Sequence, residues 1–154
     1  MITVELDNFS LKEICQSGQC FRMYETAENT YELIAGDKYL KMTQEGSIVN
    51  FYCSDMEFIC YWVPYFDIDA DYSSYIAKIN PRDTYLVEAA ECGSGIRILQ
   101  QDLWEMIITF LISQQNNISR IRGCVERLCE AYGEKKNSGE KEYYAFPTLE
   151  QLAG

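Results

Sequence analysis

Apolar and polar positions alternate along the first third of the chain. Residues 2 to 6 (ITVEL) open the alternation, and Ser10 with Glu13 three residues on forms a capping box for a short helix that stops near Gly18. From Cys20 to Cys53 the period is two, with apolar runs at Phe21–Tyr24, Tyr31–Ala35, Tyr39–Met42 and Ile48–Cys53. Between them lie Glu28-Asn29, Gly36-Asp37 and Glu45-Gly46-Ser47, residues whose backbones accept tight turns, so the segment predicts an antiparallel meander.

The period then lengthens. Ser54 and Glu57 repeat the capping box, and Phe58, Ile59, Trp62, Tyr65 and Phe66 recur at helical spacing, predicting a helix that covers the sheet. Two shorter helical patterns, Tyr72–Ile79 and Thr84–Cys92, precede a break at Gly93-Ser94-Gly95. We place a domain boundary there, giving residues 1–95 and 96–154. Asp102 caps a helix running to about Gln114 that is apolar nearly all round, which predicts a central position. Ile118–Tyr132 is amphipathic and closed by Gly133, residues 134–142 read as a polar loop, and Thr148 with Gln151 opens another helix. The class is α+β. Two such helices cannot bury each other's apolar surfaces, so a cover is expected from outside the sequence: the rest of a longer polypeptide, or a second copy associating through the exposed helix face.

Composition narrows the picture. Hydrophobic residues make up 47% and aromatics 14%, enough for a packed core and too much for a disordered chain. The most apolar stretch, Met106–Ile112, is far below the roughly 20 residues of a membrane helix, and no signal peptide opens the chain, so a cytosolic protein without membrane contact is expected. Seven cysteines with no C-x-x-C spacing, and no histidine, predict reduced, mostly buried thiols and no metal site. The net charge of −11 speaks against nucleic acid until its distribution is considered. Residues 1–95 carry six basic and sixteen acidic side chains, whereas residues 96–135 carry five of each. Within the neutral part, Arg120, Arg122 and Arg127 face only Glu126 between residues 116 and 127, so phosphate contacts belong there.

Three segments in order, SGQCFR (17–22), GIRILQQDLWEMIITFLISQQNNISRIRG (95–123) and FPTLEQLAG (146–154), resemble the 8-oxoguanine DNA glycosylases of the helix-hairpin-helix superfamily. The resemblance implies a twisted antiparallel sheet with helices, similar to half of a TATA-binding protein, followed by the first helices of an incomplete all-helical catalytic domain. It implies base-excision repair: extrusion and removal of 8-oxoguanine paired with cytosine, with AP lyase cleavage through a lysine Schiff base and no cofactor. The family's catalytic lysine and aspartate are expected downstream of residue 154, so no catalytic residue is assigned here and the chain alone is expected to be inactive. Double-stranded DNA carrying 8-oxoguanine is the implied partner, and a bacterial-type cytosol or nucleoid the implied location.

The same resemblance assigns roles to particular positions. Gly18 matches the residue whose backbone carbonyl meets the lesion's N7, and Gln19 belongs to the same lesion-recognition loop, which Cys20 and Phe21 help to position. Gln115 stands where the family usually has a DNA-wedging asparagine, Asn116 and Asn117 continue that wedge, and Arg120 matches an arginine that reads the unpaired cytosine. Asp102 matches a position near the lesion pocket, although helix capping explains it equally. Arg122 and Arg127 are read as surface residues, and Trp62 and Trp104 have core spacing. The competing reading is an acidic protein-interaction module without enzymatic activity, favoured by the charge and opposed by the Ser-Gln-Gln-Asn-Asn-Ile loop.

Overall fold

A computed structural model describes residues 1–153. The strands β1 (Ile2–Glu5), β2 (Met23–Ala27), β3 (Thr30–Ala35), β4 (Lys38–Glu45) and β5 (Ile48–Phe51) form one antiparallel sheet in the order β1-β5-β4-β3-β2. Two-residue turns at Gly36-Asp37 and Gly46-Ser47 fix the register, pairing Ala35 with Lys38 and Glu45 with Ile48. The helix α1 (Leu11–Gln16) starts as its capping box dictates, Ser10 Oγ accepting from the Glu13 N–H at 3.2 Å.

One face of the sheet is dry. Tyr31, Leu33, Leu40, Met42, Val49 and Phe51 pack under Phe9, Leu11, Ile14, Phe58, Trp62 and Phe66. The covering helix runs through α2 (Asp55–Glu57), a π turn at Phe58–Trp62 and α3 (Val63–Tyr65). Helical spacing placed Ile59 on the core side, yet it is 64% exposed and Tyr61 packs against the core in its place, donating to the Ala35 carbonyl at 3.0 Å. The wider π turn adds a residue and rotates the apolar stripe, which a 3.6-residue pattern does not anticipate.

After α4 (Tyr72–Ala77) and α5 (Thr84–Cys92), the chain crosses back over the sheet unit. Gly95 is required for that crossing: its φ is +84°, and a Cβ there would lie 2.6 Å from Ser10 Cβ. Arg97, 4% exposed, then gathers four backbone carbonyls, those of Asp7, Asn8, Asp67 and Ala70, at 2.8 to 3.2 Å, with its guanidinium 4.2 Å from the Tyr72 ring centroid. Leu99 ends this crossing inside the first core.

The second core lies between α6 (Leu103–Ser113) and α7 (Ile118–Tyr132), where Ile121, Val125, Cys129 and Phe146 meet Phe21, Trp104, Ile108 and Ile112. Among the described residues Leu103, Met106, Ile107, Phe110 and Leu111 of α6 face outward, the uncovered apolar surface expected from the sequence, and the buried positions are the polar Glu105 and Thr109. The cause is the Gly36 N–H at the β3–β4 turn, which donates to the Glu105 carboxylate at 2.8 Å and draws that face of the helix onto the sheet. The expected polar loop is a hairpin, β6 (Lys135–Asn137) and β7 (Glu142–Tyr144). Two of its lysines pair with the sheet unit at the surface, Lys141 with Glu32 at 2.6 Å and Lys136 with Asp37 at 2.9 Å, while the Tyr143 ring lies near that of Tyr39 with centroids 5.7 Å apart. The last helix, α8 (Leu149–Ala153), has a reciprocal capping box in which Thr148 N–H and Gln151 N–H each donate to the other's side chain. All seven cysteines are free thiols, though Cys60 and Cys92 are exposed where burial was expected. Among the described residues no helix is long and apolar enough to cross a membrane.

Arg22 joins the two cores. It is 1% exposed, donates through Nε and Nη2 to the two carboxylate oxygens of Glu126 at 3.0 and 3.1 Å, and reaches the Tyr144 carbonyl at 2.8 Å. Tyr24 Oη donates to the same carboxylate at 3.1 Å. Removing one partner of such a pair strands a buried charge, so Glu126→Ala should cost about 3 kcal/mol, whereas the double change Arg22→Met with Glu126→Ala should cost clearly less than the two single losses added. Urea unfolding of the three variants checks this, and strict additivity would contradict it.

Glu105 gives a second prediction. Burial pushes its carboxyl above the ordinary 4.5, with the Gly36 N–H pulling it back. The folded state therefore holds this proton more tightly than the unfolded chain, so the stability drawn from it is complete below 4.5 and is lost as pH rises through the raised value. Glu105→Gln keeps an acceptor for Gly36 and should flatten the fall in stability that begins as pH rises above 4.5. An unchanged profile would contradict the assignment.

Candidate functional site

The loop after α1 turns at Gly18, whose φ is +77°. A Cβ there would meet nothing within 4 Å, so the glycine is required by its backbone angle and leaves an open approach. Among the described residues no group donates to the Gly18 carbonyl. Its neighbour Gln19 is fully engaged: Nε2 donates to Ser17 Oγ at 3.1 Å and the Arg97 carbonyl at 2.9 Å, Oε1 accepts from the Leu99 N–H at 3.0 Å, and its own carbonyl accepts from Gln101 at 2.7 Å. The Gln19 side chain thus fastens the loop to the crossing segment and is not free to meet a ligand.

On the other side, the α6–α7 turn is built from polar residues with separate tasks. Asp102 caps α6, accepting from the Glu105 N–H at 2.9 Å, which is the capping role weighed for it in sequence. At the far end Gln114 is extended and Gln115 takes a left-handed backbone with φ +51°. Asn116 Nδ2 donates to the Ile112 carbonyl at 3.1 Å, and Asn117 Oδ1 caps α7 by accepting from the Arg120 N–H at 3.0 Å. Both asparagine side chains are therefore committed to the turn. Gln115 and Arg120 are exposed, and neither side chain is hydrogen-bonded among the described residues.

These two sides meet. A cleft of about 430 Å³ is lined by Gly18, Cys15, Cys20, Phe21 and Tyr24 on one side and by Ile118 and Arg122 of α7 on the other. Gln115 stands three residues ahead of Ile118, at the end of α7 that borders the cleft. Burial pushes the Cys15 thiol up and the Cys20 thiol up to about 11, so both are neutral there. Arg127 is exposed as expected, but Arg122 is not a surface residue: it is half-buried, with its guanidinium 5.2 Å from the Tyr24 ring centroid. Sequence reasoning missed Arg22, Arg97 and Arg122 as structural or site residues because their partners are carbonyls, a ring and a carboxylate distant along the chain.

The family model for the 8-oxoguanine DNA glycosylase N-terminal domain matches residues 1–107. The chain belongs to the 8-oxoguanine DNA glycosylase family. A curated relative of this chain, the N-glycosylase/DNA lyase of Saccharomyces cerevisiae, is 28% identical over 167 residues, covering 98% of this chain and 44% of the relative. Among solved structures, the 8-oxoguanine glycosylase/lyase of Clostridium acetobutylicum in its apo form is 37% identical with a TM-score of 0.89, covering 96% of this chain and 52% of that one. MBOgg1, solved with a low-affinity DNA ligand, is 36% identical with a TM-score of 0.91, covering 97% and 52%. The chain thus spans about half the length of the glycosylases it matches.

A left-handed backbone costs a side-chain-bearing residue about 1 kcal/mol, and glycine and asparagine tolerate it best. Gln115→Gly and Gln115→Asn should therefore leave the fold as stable as the parent or more stable, by up to about 1 kcal/mol. Thermal unfolding midpoints check this; a clear fall in both variants would show that the Gln115 side chain has a structural task.

Proposed function

We propose that this chain is the lesion-reading and DNA-wedging part of a bifunctional 8-oxoguanine DNA glycosylase and AP lyase acting in base-excision repair. One observation carries the reading: the undonated Gly18 carbonyl and the start of α7, behind the Gln115 turn, border a single cleft. Guanine offers N7 as an acceptor, whereas 8-oxoguanine carries a hydrogen there and becomes a donor. A fixed carbonyl attracts the second and repels the first, and selects by that repulsion.

Extruding a base from duplex DNA costs a few kcal/mol of stacking and pairing. Gln115, strained and unpartnered at a helix end, supplies a side chain able to fill the gap, and the free Arg120 guanidinium suits the N3 and O2 acceptors of the remaining cytosine. Asn116, Asn117 and Gln19 serve by holding those two groups in place. The Clostridium relative has been solved with double-stranded DNA containing cytosine opposite 8-oxoguanine, which supports the same partner here. The family's catalytic lysine and aspartate have no match among residues 1–154. In the whole enzyme a lysine amine would attack the sugar C1′ as the base leaves, and the resulting Schiff base would allow strand cleavage.

The two-part division, residues 1–95 and 96–154, is part of this proposal, with the segment 96–101 lying across the first part. So is the assignment of the outward apolar face of α6 to contact with further polypeptide, or with a second copy where none is present. A cytosolic, chromosome-bound location and a reaction without cofactor complete it. Borohydride trapping with the full-length gene product tests the reading. A covalent adduct should form on a duplex with one 8-oxoguanine opposite cytosine and not on the undamaged duplex, and Gln115→Gly should weaken it by about tenfold or more. Absence of any adduct would contradict the lysine mechanism.

A further inference from the structure

We infer that Arg122 is a phosphate-binding residue of the cleft, gripping the DNA strand that carries the extruded nucleotide. The inference rests on the glycosylase reading and adds a residue to it. Three arginines of this chain are wholly or partly buried, and two have their charge met within the fold. Arg22 holds a carboxylate and a carbonyl, with only its Nη1 left over, and Arg97 holds four carbonyls. Arg122 holds none: its Nε is shielded from solvent without an acceptor, and it forms no ion pair among the described residues.

The neighbours explain why that charge stays open. One turn on, Glu126 is the natural i,i+4 partner, but both of its oxygens are taken by Arg22 and one also by Tyr24. Glu25 borders the same cleft and forms no ion pair with Arg122. The Cys15 thiol lies beside it, but burial keeps that group protonated, so it neutralises nothing. The Tyr24 ring, anchored through its hydroxyl to Glu126, supports the guanidinium from one side and leaves the fork facing the cleft lined by Gly18. An uncompensated guanidinium in a chain of net charge −11 is a costly arrangement unless an anion arrives. Its fork geometry suits two phosphate oxygens, and its place with Gly18 and Ile118 in the cleft wall puts it within reach of a strand that enters there.

The salt dependence of DNA binding by the full-length gene product tests this, read by fluorescence anisotropy on matched 8-oxoguanine–cytosine and guanine–cytosine duplexes. Arg122→Met should weaken binding to both duplexes by a similar factor and make the slope of log affinity against log salt shallower by about 1, while Arg122→Lys should keep the parental slope. A parental slope in Arg122→Met overturns the assignment; if thermal stability falls in that variant at the same time, the guanidinium serves a carboxylate within the polypeptide instead. A parent protein with no preference for the damaged duplex would refute the glycosylase reading by itself, whatever the Arg122 slope. A parent that binds neither duplex would refute both.

Discussion

The arrangement depends on one ion pair whose guanidinium is buried. Arg22 leaves the loop behind Gly18 and enters the seam between the two cores, where Glu126 of α7 and the Tyr144 carbonyl of the hairpin close around it. A guanidinium removed from water tolerates little misplacement, because each lost contact leaves a charge-bearing donor unsatisfied. Sheet, helix and hairpin are thereby held in one register. The cleft between Gly18 and α7 is a consequence, since its two walls are the segments this pair ties together. Glu105 repeats the device on the other side of α6, with a buried carboxylate on the Gly36 N–H.

Within that frame, the polar residues divide into holders and free groups. Asn116, Asn117 and Asp102 spend their side chains on backbone groups of their own turns, and Gln19 spends its on the backbone of the crossing segment. The Gly18 carbonyl and the Gln115 and Arg120 side chains are left without internal hydrogen bonds, and Arg122, with only the Tyr24 ring against it, lines the Gly18 cleft beside the end of α7 near which the other two lie. Gln115 adds a left-handed backbone at a residue that, unlike Asn8, Asn29 and Asp67, is neither asparagine nor aspartate. Unmet hydrogen-bonding capacity and unrelieved strain at one place are the marks expected of a surface completed by its ligand.

Much of this was legible in sequence, and the reasons are local. Capping boxes at Ser10, Ser54 and Thr148, period-two alternation and two-residue turns each depend on a few neighbouring residues, so strands and helix starts emerged where they were expected. What escaped depends on distant partners. The π turn rotated Ile59 outward; the hairpin at 135–144 is too short to show a period and is stabilised by charges on β3 and on the β3–β4 turn; and α6 turned its polar side inward for the sake of Gly36. Arg122 was taken for a surface residue because nothing nearby in sequence reveals that its i+4 carboxylate is already occupied.

The central claim is that the Gly18 loop and the α6–α7 turn face one duplex together. Amide hydrogen exchange of the full-length gene product, with and without a duplex bearing a single 8-oxoguanine opposite cytosine, addresses it directly. The account predicts that the amides of residues 17–21 and 115–122 slow together on adding DNA, while those of the β6–β7 hairpin are unchanged. Slowing at one of the two segments without the other would contradict it.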